Sequence, residues 1–261
     1  MRIFEEKIVT LRQVRKKIFL LGFKSSYLAP RAQPGQFVNI YLQEKGVFLP
    51  RPFSIHKIES DIVYLLFKVR GKATQALADM AKGESLRICG PLGKKFDWLA
   101  MAKYQRVVLI GGGIGIAPLS FLGQKLARLS SQKLLFVGAA TKKELVVKKE
   151  LRNYGFMVYT ATLDGSAGEK GDVVSVFSRW LEKERIKGKD LCVFGCGPWG
   201  MAESLQRVER TYKIGKVWFS FERVIACGLG VCRGCAIETK SGYKLLCQQG
   251  PVFNLDEVVF A

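Results

Sequence analysis

Val107-Val108-Leu109-Ile110-Gly111-Gly112-Gly113-Ile114-Gly115-Ile116-Ala117-Pro118 decides how the chain is built. The four branched apolar residues read as a buried strand, the glycines as a tight loop, and residues 118–129 as a helix. A strand that runs through glycines into a helix is the opening of a βαβ unit. The same alternation repeats downstream, with strands expected at 134–139, 156–162 and 191–195 and helices near 143–154, 173–184 and 198–212. It predicts a parallel α/β sheet over residues 101–215. The loop is not the spaced G-x-G-x-x-G fingerprint. Its glycines still let the backbone approach a pyrophosphate at a helix N-terminus, so Gly111, Gly112, Gly113 and Gly115 are candidate dinucleotide contacts.

Upstream the rhythm differs. Residues 7–11, 17–23, 36–42 and 62–69 are rich in β-branched and aromatic side chains, and Pro34-Gly35, Glu44-Lys45-Gly46 and Glu59-Ser60-Asp61 punctuate them. This predicts an antiparallel β-barrel over residues 1–100, interrupted by one helix at 74–82. Two short motifs lie within it. In Arg51-Pro52-Phe53-Ser54 a guanidinium can neutralise a phosphate and a hydroxyl can bond a polar ring atom. Gly71-Lys72-Ala73-Thr74 opens the helix, as an anion site made of free N–H groups or as a plain N-cap. Gly90-Pro91-Leu92-Gly93 reads as a turn closing the barrel. His56 is the sole histidine, which argues against serine-triad chemistry and His-rich metal sites; we read it as structural.

Downstream of the sheet, residues 216–261 hold Cys227-Gly-Leu-Gly-Val-Cys232-Arg-Gly-Cys235 and, after eleven intervening residues, Cys247. The first three cysteines have the C-x4-C-x2-C spacing of plant-type [2Fe–2S] sites. Tetrahedral zinc is the alternative, although structural zinc sites more often pair two short knuckles. A disulfide set fits poorly, because the cysteines number seven and no apolar signal segment precedes them. Two further candidates stand at the carboxyl edge of the expected sheet, where α/β folds bind ligands. Cys196-Gly197-Pro198 follows an apolar strand, and its thiol is either a reactive group or a buried small residue. Asp164, in Leu163-Asp164-Gly165, can accept hydrogen bonds from a ribose diol or simply make a turn.

Composition narrows the class. Hydrophobic content of 48% with 25% charged residues is that of a globular protein. The longest uncharged run, 107–123, contains five glycines and Pro118, so it is not a membrane span. Reduced thiols and the absence of a signal segment lead us to expect a cytoplasmic protein. A net charge of +20 is unusual and suits nucleic acid, acidic partners or anionic cofactors. The positives are scattered in doublets such as Lys16-Lys17, Lys94-Lys95 and Lys142-Lys143, without an aromatic–basic pattern, so a zinc-bearing nucleic-acid module has no support from the motifs.

Taken in order, Arg51-Pro52-Phe53-Ser54, Gly71-x-x-Thr74, the 111–118 loop and Cys196-Gly197-Pro198 resemble the ferredoxin–NADP reductase superfamily. With Cys247-Gln248-Gln249-Gly250-Pro251-Val252-Phe253 added, the chain resembles the iron–sulfur electron-transfer subunits of bacterial two-component dihydroorotate dehydrogenases, over essentially its whole length. The resemblance implies an FAD-binding barrel, a parallel α/β NAD-binding domain and a small C-terminal [2Fe–2S] domain. By it, Arg51, Pro52, Phe53 and Ser54 lie against the flavin, and Gly71, Lys72, Ala73 and Thr74 hold its pyrophosphate. The 111–115 loop and Asp164 meet NAD, and Cys196 stands near the reacting rings. Cys227, Cys232, Cys235 and Cys247 hold the cluster. It also implies a hetero-oligomer with an FMN-containing catalytic subunit that oxidises dihydroorotate, with NAD as final acceptor. Related reductase subunits of sulfide dehydrogenases, hydrogenases and transhydrogenases share the layout. Ala73 stands where a glycine is expected, Lys95 where a small residue is expected, and the chain is more basic than the pattern.

Overall fold

The computed structural model describes residues 1–260, those at 101 and 102 by backbone alone. Strands β1 (Arg2–Arg15), β2 (Ile18–Lys24), β3 (Phe37–Leu42), β4 (Val47–Glu59) and β5 (Ile62–Lys68), helix α1 (Lys72–Ala78) and strand β6 (Ser85–Leu92) make the first unit. The strands close into an antiparallel barrel in the order β1-β2-β5-β4-β3-β6. Alternate residues fill it: Phe23, Val38, Ile40, Ile55, Val63, Leu65 and Ile88 are buried. Two barrel strands, β4 and β6, lie outside the segments read as strands. Each contains proline, Pro50 and Pro52 in β4 and Pro91 in β6, and proline argues against a strand because it cannot donate to the ladder. Gly90 and Leu92, expected in a turn, therefore belong to the end of β6.

The second unit runs β7 (Arg106–Gly112), α2 (Ile116–Leu126), β8 (Gln132–Ala139), α3 (Lys148–Asn153), β9 (Met157–Thr162), β10 (Glu169–Lys170), α4 (Val173–Lys183), β11 (Leu191–Gly197), α5 (Trp199–Tyr212) and β12 (Lys216–Phe221). Its sheet has the order β10-β9-β8-β7-β11-β12-β15, β15 being Val252–Asn254. All neighbours are parallel except β12 and β15. Leu109, Ile110, Val193 and Phe194 are fully covered, as strands buried on both faces require. Between β7 and β11 the strand order reverses, which opens a crevice at their carboxyl ends.

Residues 216–221, assigned on sequence to the cysteine unit, are thus a strand of the parallel sheet, and the cysteine-rich segment starts after Phe221. It contains the hairpin of β13 (Ala236–Thr239) and β14 (Gly242–Leu245), then returns to the sheet as β15. One apolar cluster includes Phe37 and Leu92 of the barrel, Val193 and Phe219 of the sheet, and Leu246 and Phe253 of the C-terminal segment. The three units are packed on a shared core, so their functional groups are held at fixed separations.

A buried carboxyl on α5 gives this core a pH dependence. Glu209 is 9% exposed and its Oε2 has no hydrogen-bond partner among the described residues. Burial, then Asp256, raises its pKa to about 7 against the pull of Lys216, Arg210 and Lys240. A carboxyl with a raised folded-state pKa contributes stability that is complete below its ordinary value and is lost as pH rises through about 7. Glu209→Gln is therefore expected to gain on the order of 2–3 kcal/mol over the parent at pH ~8 and little at pH ~4.5. Urea melts at the two pH values check this; an equal difference at both would show that Glu209 is ionised throughout.

Candidate active site and cluster loop

Two adjoining cavities occupy the junction of barrel, sheet and C-terminal segment. The larger, about 980 Å³, lies at the switch point and is lined by Gly112, Gly113 and Ile114 at the end of β7, Pro198, Gly200 and Met201 after β11, and Arg51 and Pro52 of β4. The smaller, about 230 Å³, lies against the barrel and is lined by Pro52, Phe53, Ser54, Leu66, Lys68, Thr74 and Pro118. Pro52, Arg70, Ile114, Glu222, Arg223 and Ile225 line both. The two cavities therefore adjoin along this shared wall.

The motif residues divide between these cavities and the packing around them. Arg51, Pro52, Phe53, Ser54 and Thr74 face one or both. The Arg51 guanidinium donates to the carbonyls of Leu49 and Pro50 at 2.8 and 3.2 Å. The Thr74 hydroxyl is engaged in its own turn, accepting from the N–H groups of Arg70 and Gly71 at 2.9 and 3.2 Å. Gly71 and Lys72 are exposed beyond the cavity linings, and Ala73 is buried in the barrel core, which explains why a methyl group is accommodated where glycine was expected.

Within the glycine loop, Gly112 and Gly113 face the larger cavity, whereas Gly111 and Gly115 do not. Gly115 is required by close approach, since a Cβ there would stand 2.6 Å from the carbonyl oxygen of Cys196. Cys196 itself is 1% exposed and lines neither cavity. Its Sγ faces the Glu222 carboxylate at 4.0 Å, and burial, then Glu222, pushes its thiol pKa well up. The thiol is held neutral beneath the cavity, and Glu222 is the group that reaches the wall. Desolvation raises the Glu222 pKa and Arg70 opposes it.

Asp164 lies outside the lining, although its neighbour Leu163 belongs to it. Its carboxylate accepts from the N–H and hydroxyl of Ser166 at 2.9 and 2.6 Å, which lowers its pKa. Asp172 lines the cavity instead, as Glu222 does, and it caps α4 by accepting from Val174 and Ser175 N–H at 3.0 Å. Arg70, Asp172, Glu222 and Arg223 escaped the motif reading. The only local signal was that Arg70 directly precedes Gly71 and that Glu222 opens the cysteine segment.

The four cysteines lie in one loop system as two pairs. Cys235 and Cys247 have their sulfurs 3.4 Å apart. The Cys232 side chain lies against the Cys227 sulfur, which also accepts from the Leu229 and Cys232 N–H groups at 3.3 and 3.5 Å. Burial would raise the Cys227 thiol, but these hydrogen bonds bring it down to about 6. Burial and the Cys235 thiol push Cys247 up to about 12, and the Gly230 N–H opposes this. Among the described residues no three His, Cys, Asp or Glu side chains converge on a single point. Paired thiols on a loop whose N–H groups face the sulfurs suit two irons that each take two protein ligands.

The loop is tied to the barrel through Asn39, which is fully buried on β3. Its Nδ2 donates to the Cys227 carbonyl at 3.2 Å, and its strand partner on β4 is Pro52. Gly228, at φ +71°, lies so close that any Cβ there would collide with the Asn39 amide. Asn39→Ala is expected to free the loop at a cost of about 1 kcal/mol, because a half-buried carbonyl loses its donor. Faster iron release to a chelator, with flavin retained, would show it; unchanged release would mean the clamp is redundant.

A closed barrel joined to a parallel sheet across a shared cleft, with a cysteine-rich tail, is a ferredoxin–NADP reductase-like fold carrying an iron–sulfur extension. The "Iron-sulfur cluster binding domain of dihydroorotate dehydrogenase B" matches residues 222–259 and the "Oxidoreductase NAD-binding domain" matches residues 109–207. The first of these starts where β12 ends. The electron transfer subunit of dihydroorotate dehydrogenase B (NAD(+)) of Caldanaerobacter subterraneus subsp. tengcongensis is 35% identical over 97% of each chain. That of Enterococcus faecalis is 34% identical over 97% of this chain and 96% of its own. A solved NADH-dependent reduced ferredoxin–NADP oxidoreductase superposes with a TM-score of 0.86 at 28% identity, covering 97% of this chain and 89% of that one. The chain belongs to the family of dihydroorotate dehydrogenase B electron transfer subunits.

Proposed function

We infer that this chain passes electrons between a dihydroorotate dehydrogenase catalytic subunit and NAD, within pyrimidine biosynthesis. The observation that carries this reading is the position of Asn39, which pairs with Pro52 in the cavity wall and holds the Cys227 loop by its side chain. One barrel residue thereby joins the flavin wall to the cluster loop. The fit of each group rests on the donors present: a cavity bounded by Ser54, Arg70 and Thr74 for FAD, and paired thiols for a [2Fe–2S] cluster. Bound there, FAD would supply hydride exchange with NAD and single-electron exchange with a cluster held by the cysteines.

The protein's share is position and electrostatics. Pro52, Arg70 and Ile114 form the common wall that brings the dinucleotide against the flavin. Arg51 and Arg70 supply positive charge for phosphates. Gly112 and Gly113 let a dinucleotide lie along the backbone at the switch point. Cys196 and Glu222 close the floor between β11 and the cleft. No helix among the described residues is long and apolar enough to cross a membrane.

Steady-state reduction of a dye by the FAD-loaded chain tests the dinucleotide assignment. The kcat/KM for NADH is expected to exceed that for NADPH by about tenfold or more, an ordinary discrimination for one charged group. A larger value for NADPH would overturn it. Asp164→Asn is expected to leave the preference unchanged, because the carboxylate is engaged by Ser166. A changed preference would show that Asp164 reaches the ribose.

A further inference from the structure

A third cavity, about 440 Å³, lies between the barrel and the α/β sheet, and Leu66 is the one lining residue it shares with the flavin cavity. Its walls carry six cations, Arg12, Arg15, Lys57, Lys148, Lys149 and Arg152, against one carboxylate, Glu150. That carboxylate is ion-paired with Lys57 at 3.7 Å and lies 3.3 Å from His56 Nε2. His56 in turn donates from Nδ1 to the Ala117 carbonyl at 3.1 Å, so the acidic group stands at the domain junction.

Among the described residues, the other five cations form no ion pair. Lys148 is half-buried, and its Nζ has only the Thr160 hydroxyl, at 3.4 Å. Burial, then the Arg152 and Lys142 charges, lowers its pKa. Cations drawn from two units around one concave space, with their carboxylate committed elsewhere, leave a positive potential that an anion would relieve. The floor is apolar, made by Leu20, Leu66, Leu145 and Val146. The volume exceeds the needs of one inorganic anion and falls in the range of small-molecule sites.

We propose that this junction is a binding site for a phosphate-bearing small molecule of the nucleotide class. The phosphates take the Lys148, Lys149 and Arg152 side, and the heterocycle covers Leu20 and Leu66. The site is separate from the dinucleotide cleft, with which it shares no lining residue. Its occupant bridges β1 and β4 of the barrel and α3 of the sheet, so binding raises the melting temperature. It also gives part of the +20 net charge a specific use.

The test is calorimetric titration of the full chain, loaded with FAD and saturated with NAD, using ATP and inorganic pyrophosphate as probes. ATP is expected to bind at one site and more tightly than pyrophosphate, because only ATP reaches the apolar floor. Lys148→Glu with Arg152→Glu is expected to weaken ATP by about tenfold or more, as loss of charge-assisted phosphate contacts does. Should that variant fold poorly, Arg12→Ala with Lys149→Ala, both exposed, is expected to weaken ATP by about threefold or more. Absence of heat with either probe, unchanged affinity in the folded variant, or loss of ATP binding on NAD saturation would each overturn the proposal. The last of these would place ATP in the dinucleotide cleft.

Discussion

Cys227→Ser and Cys247→Ser will each lose the visible absorbance of the iron–sulfur cluster almost entirely while keeping bound FAD and NADH-driven dye reduction. Each substitution breaks one of the two thiol pairs, Cys227 with Cys232 or Cys235 with Cys247. A serine hydroxyl is far less acidic than a thiol, so it does not supply the anionic ligand that iron requires. The loss is confined because neither cysteine lines the flavin or dinucleotide cavity, and the cysteine segment begins only after β12 has completed its sheet pairing. Cys192→Ala, buried in β11, is the control and is expected to retain the cluster. Full cluster absorbance in either ligand variant would show that the four-cysteine set is wrong. Loss of FAD together with the cluster would show that the cysteine loop supports the barrel more than its contacts indicate.

The second large effect is expected at the flavin. Arg51→Ala combined with Arg70→Ala will weaken FAD binding by about a hundredfold or more, and each single change by about tenfold, since a hydrogen bond to a charged group contributes roughly 1.5–3 kcal/mol. Arg70 lines both cavities and Arg51 the larger, and we propose that the two guanidinium groups meet the flavin diphosphate where the cavities adjoin. Arg51 now rests on the Leu49 and Pro50 carbonyls, and a ligand phosphate is a better acceptor than either. Thr74→Ala should have the smaller effect of a lost cap, because its hydroxyl serves the turn at Arg70 and Gly71. Equal flavin affinity in the double variant and the parent would refute the assignment of the cavities. A weakening by Thr74→Ala that matched Arg51→Ala would mean that the hydroxyl turns to the phosphate on binding.

Much of the architecture is legible in the residues. The change from turn-punctuated strands to alternating strands and helices near residue 104 separates barrel from sheet, and the cysteine spacing marks the tail. The failures have physical causes. β4 carries two prolines and still joins the barrel, because Pro50 lies in the irregular stretch of its ladder with β3 and Pro52 pairs with β3 alone, β5 being engaged only from Ile55 onward. β12 has the pattern of a strand, but its neighbour in sequence is the cysteine segment and its neighbour in space is β11. The cleft was the least legible part. Arg70, Asp172 and Glu222 come from three distant segments and meet only through the topology, so no local pattern announces them. The glycine loop shows the same limit in reverse. Four glycines look equivalent in sequence, yet the close approach of Cys196 makes Gly115 a packing residue and leaves Gly112 and Gly113 to line the cavity.

The central claim is that the chain links a dihydroorotate-oxidising partner to NAD, and reconstitution with that catalytic subunit tests it most directly. The measurement is the appearance of NADH on adding dihydroorotate to the two purified proteins, mixed and separate. The account predicts NADH formation only in the mixture, and its abolition when Cys227→Ser replaces the parent chain. A stable complex, loaded with all its cofactors, that oxidises dihydroorotate with an artificial acceptor yet forms no NADH would contradict it.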